Sequence, residues 1–229
     1  MANNYYDATG VLILDRVTPV ITALFGAFNL DASYPGDGQA YIARLAEACD
    51  AQWIDVLDGL VSLAAELDLP APDEEEVTLP WVLKALAEHF GTSANADLLS
   101  LVERDPFEDS ADLEALLLIA SCFNDGHNLA AIEFEGCWHC SKPRLFEFGG
   151  AGCFFSQELR VFSSSSDALQ LGRDLRKAIL ADNLSEASAR ITLMVLDLLA
   201  GIADESLRAR LRRQIGDRLL TDLSSHGAG

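Results

Sequence analysis

Residues 132–140, Ile132-Glu133-Phe134-Glu135-Gly136-Cys137-Trp138-His139-Cys140, change the period of the chain. Apolar and charged side chains alternate from Ile132 to Glu135, the period of two that belongs to a strand with one buried face. Upstream the spacing is three and four. From Gln39 to Leu67 the apolar residues Ile42, Leu45, Cys49, Trp53, Val56, Leu60, Leu63 and Leu67 form one helical stripe. Arg44, Glu47, Asp50, Asp55, Asp58 and Glu66 fall on the opposite face, and Gly59 is a point where this helix would bend or break. Val17–Leu30 reads as a buried core helix. Pro70, Pro72 and the run Asp73–Glu76 form a loop, and Thr78 with Pro80 starts a helix that Gly91 stops. Shorter helical pieces follow at Asp97–Val102 and Asp112–Phe123, so the first half reads as wholly helical.

Downstream of the switch, residues 144–148, 153–155 and 159–162 are short aromatic-rich runs that read as strands of a meander, with Gly149–Gly152 as a hairpin turn. Asp167, with Gln170 three residues on, caps a helix, and Asn183 or Ser185 and then Asp204 cap two more. The expected class is α+β: a mainly helical, acidic N-terminal half, an antiparallel meander of three to four strands around 130–163, then about three C-terminal helices. The matching division is an acidic helical region at 1–125 and a meander with helices at 126–229, either as two regions or as one continuous domain.

The 229 residues hold 36 acids and 16 bases, a formal charge of −20. Residues 1–120 carry 22 acids and 4 bases, whereas 121–229 carry 14 and 12. With half its residues apolar the chain has the material for a core, so global disorder is excluded. Phosphate backbones and anionic membranes repel such a surface, which disfavours direct nucleic-acid or lipid binding. No basic segment precedes the first apolar stretch, and the longest uncharged run near the N-terminus, Val17–Leu30, falls short of the ~20 residues a spanning helix needs. A cytoplasmic location follows as an expectation, and five cysteines in such a setting point to reduced thiols or a metal.

Cys137-x-x-Cys140 is the most specific local signal. In a tight turn two such thiolates face one tetrahedral ion, and the sequence offers Cys153 with His127, or His139 in its place, as the further ligands of a structural zinc, in a pattern left incomplete by the lack of a second Cys-x-x-Cys or His-x-x-x-His. The bland alternative is two inert thiols in a hairpin with Trp138 packed on the sheet. A redox role lacks its strand-then-helix setting. Asp125, His127 and Cys140 form a trio worth testing for proximity; His89 suits a helix C-terminus, and His226 lies in a terminal tail. No nucleophile-elbow, metalloprotease, Walker or Rossmann fingerprint occurs, so no catalytic residue is assigned. Leu207, Leu211, Ile215 and Leu219 share a helix face whose other sides carry Arg208, Arg210, Arg212, Arg213 and Arg218. That helix is a solvated surface element, an internal counterpart to the acidic half, or a dock for an anionic partner. The expected function is a non-catalytic interaction module, an adaptor, inhibitor or nucleic-acid mimic, binding a protein with a basic surface. The alternative is a metal- or thiol-dependent protein built on Cys137 and Cys140.

Overall fold

The computed structural model describes residues 4–70, 77–142, 144–145 and 147–225, with side chains as far as Thr221. The Asp73–Glu76 loop, Pro143, Phe146 and His226 lie outside the described residues. The class is α+β. In chain order the elements are β1 (Asn4–Ile13), α1 (Pro19–Phe25) with a 3-10 turn (Gly26–Phe28), β2 (Asp31–Gly36), β3 (Gln39–Leu45), α2 (Trp53–Glu66), α3 (Leu79–His89), α4 (Ala96–Arg104), α5 (Leu113–Cys122), β4 (Ala131–Cys140), β5 (Gly149–Ser156), β6 (Arg160–Ser164), α6 (Ser165–Leu180), α7 (Leu184–Ala200) and α8 (Glu205–Ser225).

The sheet has six strands in the order β2-β3-β1-β4-β5-β6, not the three or four of a local meander. Half of them come from the segment expected to be all helical. The single helix expected over 39–67 is two elements: β3 ends at Leu45 and α2 begins at Trp53. Ala40, Ile42 and Ala43 are buried in β3, whose pairing with β1 from Asp7↔Leu45 to Ile13↔Gln39 satisfies a backbone that a helical stripe alone does not specify. The local clue is Asp37-Gly38: both residues have positive φ, 54° and 81°, the geometry of a two-residue hairpin turn between β2 and β3.

β4 pairs along its whole length with β1, from Asn4↔Cys140 to Ile13↔Ala131. Those pairings draw the decisive stretch into the N-terminal body. The chain falls into two units, Met1–Phe155 and Ser156–Gly229, with the boundary thirty residues beyond the expected division at 125/126. In the first unit, α1, α2, α3 and α5 cover a core in which Phe25, Phe28, Phe123, Leu60, Leu83, Leu86 and Leu116 are wholly buried.

Gly59 does not break α2, which runs through it from Trp53 to Glu66. Its missing Cβ lets the helix lie directly on the backbone carbonyl of Ala23 in α1, where any side chain would collide. Gly149–Gly152 is likewise not a turn. These residues belong to β5, and Gly149 lies against the Trp138 indole, which leaves no room for a side chain. Residues 144, 145, 147 and 148 lie outside any strand.

In the second unit, the cap of α6 is Ser164, and Asp167 is its reciprocal partner: the Ser164 backbone N–H donates to Asp167 Oδ2 at 2.7 Å. Gln170 instead donates to Asp174. Asn183 and Asp204 cap α7 and α8 as expected.

Candidate functional site

Alternation along β4 separates the two cysteines of the Cys-x-x-Cys. An odd spacing in a strand sends side chains to opposite faces. Cys140 is accordingly buried, as are Ile132 and Phe134 on the same face, while Cys137 is exposed on the face of Glu133 and Glu135. The sulfurs therefore cannot share one ion as they would in a turn. The other expected ligands lie elsewhere. His127 precedes the first residue of β4 and Cys140 is its last, and ten residues of strand span roughly 30 Å. Cys153 sits on β5, where the neighbouring Gly152 approaches the Phe134 carbonyl, six residues from Cys140 along β4. Among the described residues no group of three or more His, Cys, Asp and Glu is placed to hold a metal. The trio Asp125, His127 and Cys140 is divided by the same length of strand.

His127 has a full set of partners. Leu129 N–H donates to Nδ1 at 2.8 Å, which requires that nitrogen to be unprotonated, and Nε2 lies 3.2 Å from the Ala120 carbonyl, to which it donates. Burial pushes the imidazole below its ordinary value and outweighs the opposing pull of Asp125 and of the backbone carbonyls. The ring is neutral, with one tautomer fixed. Its own carbonyl accepts from Asp15 N–H at 2.8 Å, while Asp125 Oδ2 accepts from Val20 N–H at the start of α1. The polar turn 124–128 thus fastens β1, α1 and α5 together, a structural task that occupies both ring nitrogens.

Two of the thiols are held in their protonated form. Burial and the Asp112 carboxylate push Cys153 up to about 11, and burial raises Cys122 also, so both stay protonated at neutral pH. His139, on the solvent face of β4, stacks on Tyr5 of β1 with centroids 5.2 Å apart. Asp7, Leu45 and Glu47 line a shallow depression beside this pair.

The tertiary structure assembles one feature that the helical reading missed. The segment after α4 folds back on the N-terminus of α2: Trp53 N–H donates to the Asp109 carbonyl at 2.9 Å, Ala111 N–H donates to that of Ala51 at 3.0 Å, and the rings of Trp53 and Phe107 meet edge to face at 5.0 Å. Exposed Asp50 and Asp55, at the start of α2, are thereby brought near exposed Glu108, Asp109 and Asp112, some fifty residues away in sequence, with exposed Asp58 further along α2. Arg44 anchors this acidic shelf from beneath. Expected on a solvated helix face, it lies instead on β3, its side chain only 17% exposed and its guanidinium 5.3 Å from the centre of the Phe28 ring. Nη2 donates to the Ala111 carbonyl at 2.6 Å and to that of Ala51 at 3.4 Å, and Nε is 3.4 Å from an Asp50 oxygen. Arg44 is thus engaged with the Ala51 and Ala111 carbonyls and with Asp50; Asp55 Oδ2 and Asp112 Oδ1 accept from the Gln52 and Ala115 N–H groups, and Asp58, Glu108 and Asp109 are exposed. No local motif announces this arrangement, since the β3 register and the fold-back of 105–112 are both long-range.

No protein-family model matches the chain, and no curated protein or solved structure matches it either. Among the described residues no helix is long and apolar enough to cross a membrane.

Proposed function

We propose that the protein is a non-catalytic interaction module whose first unit binds a partner with a basic surface; adaptor and inhibitor roles both belong to this class. The observation that carries the reading is the acidic shelf on a unit that holds 26 acids and 6 bases. Rows of exposed carboxylates held by a rigid scaffold raise the encounter rate with a cationic partner and select it by sign of charge. The engaged His127 and the protonated Cys122 and Cys153 thiols support a binding role over a catalytic one.

The test is titration of the whole chain with an arginine-rich peptide at rising salt. Affinity should fall steadily with ionic strength, and Asp58→Lys with Glu108→Lys should weaken binding about tenfold while Glu88→Lys, at an exposed position of α3, changes it little. Binding that ignores both salt and the shelf reversals would overturn the reading.

A further inference from the structure

The second unit has almost no interior. Among its described residues only Ser156, Ala178 and Leu199 are buried, although it spans 74 positions and three helices. Its apolar side chains are present but uncovered. On α7, Leu184, Ile191, Met194 and Leu198 are 74, 54, 46 and 58% exposed, and their spacing of seven, three and four keeps them on one face. With Ala187 they fill successive a and d positions of a heptad, the pattern that seats one helix on another. Ile179 of α6 and Leu219 of α8 are each 64% exposed as well.

We infer that this face is the interface of a homodimer, in which α7 packs against α7 of a second copy about a two-fold axis. Charge identifies the occupant. The second unit carries ten acids and ten bases, so it is neutral, while the first carries the whole −20. Two copies meeting through their first units would oppose like fields; meeting through the second they do not. A neutral face also offers nothing to the cationic partner that suits the shelf. On α7 the four seam side chains Leu184, Ile191, Met194 and Leu198 expose roughly 400 Å² of apolar surface, about half of the ~800 Å² per partner of a standard interface, and exposed residues of the neighbouring helices such as Ile179 and Leu219 would supply the remainder. In an antiparallel pair a positions meet d positions, which sets Ile191 against the partner's Met194 and Leu198 against the partner's Ala187.

Light scattering on the eluting 229-residue chain, without any basic ligand, reads this inference separately from the shelf. The expected mass is twice 24.7 kDa. Ile191→Glu with Leu198→Glu should give the single-chain mass, with a dissociation constant raised about 100-fold or more, and helical circular dichroism unchanged because both side chains are exposed within one copy. The milder pair Ile191→Ser and Leu198→Ser should weaken the dimer in the same direction, and Leu99→Glu on exposed α4 should leave it intact. Wild-type chain that stays at the single-chain mass at its highest soluble concentration, or only in company with another protein, overturns the inference. So does a dimer that survives both double substitutions.

Discussion

The first unit keeps 26 acids against 6 bases around a core of buried Phe, Leu and Ile, whereas the second balances ten against ten and buries little besides Ala178 and Leu199. Charge and core therefore go together. Like-charge repulsion destabilises a folded body, and the unit with apolar burial to offset it is the one that carries the excess. The neutral unit, lacking such burial, leaves its apolar stripes open. All three tryptophans, Trp53, Trp81 and Trp138, lie in the first unit, so indole fluorescence follows that unit alone while far-ultraviolet dichroism follows the helices of both.

The contrast can be broken most severely at Arg44. Arg44→Met keeps the packing on Phe28 but strips the Ala111 and Ala51 carbonyls of their charged donor, and should cost about 3 kcal/mol in the fluorescence-detected urea transition. Next comes Gly59→Ala. Alanine improves helix propensity by ~1 kcal/mol, yet its methyl group would strike the Ala23 carbonyl, so a net loss of about 2 kcal/mol is expected in the same transition.

Acidification tests the first unit through His127. The folded value lies below the unfolded one near 6.5, so the unfolded chain takes up the extra proton. Stability from this group is complete above about pH 6.5 and is lost as pH falls toward the lowered folded value, by at most ~1.4 kcal/mol per pH unit. His127→Asn, which retains an acceptor for Leu129 N–H, should be less stable at pH 7.5 but should lack this slope between pH 7 and 5. An unaltered slope in the variant would assign it to other groups. The smallest effect belongs to the second unit: Gly172 in α6 has open space around it, so Gly172→Ala should stabilise by about 0.5–1 kcal/mol in dichroism and leave the fluorescence transition in place. Matching shifts in both signals would show that the two units unfold together.

Much of the helical layout was legible in the residues. Asn183 and Asp204 cap helices where their short polar side chains suggested, because capping is a matter of neighbours two or three positions away, and Thr78 with Pro80 marks the start of α3 as expected. The β3 strand was not. Ile42, Leu45 and Cys49 continue the stripe of α2 by chance of spacing, and a short apolar run does not distinguish strand from helix until its partner is known. The candidate metal set failed to assemble for a related reason. Cys-x-x-Cys points two sulfurs together in a turn and apart in a strand, and the pairing of β4 with β1 decides between them.

By itself the sequence determined the α+β class, the acidic character of the first part, the helix caps and the amphipathic faces, all of which depend on composition or on residues a turn apart. Only the tertiary structure decided that three N-terminal segments are strands, that Arg44 is an internal anchor, that Asp50–Asp58 and Glu108–Asp112 form one shelf, and that the apolar faces of α7 and α8 stay open. Each of these depends on which distant segment supplies a hydrogen-bond partner or a covering side chain, and that information resides in pairings across the chain.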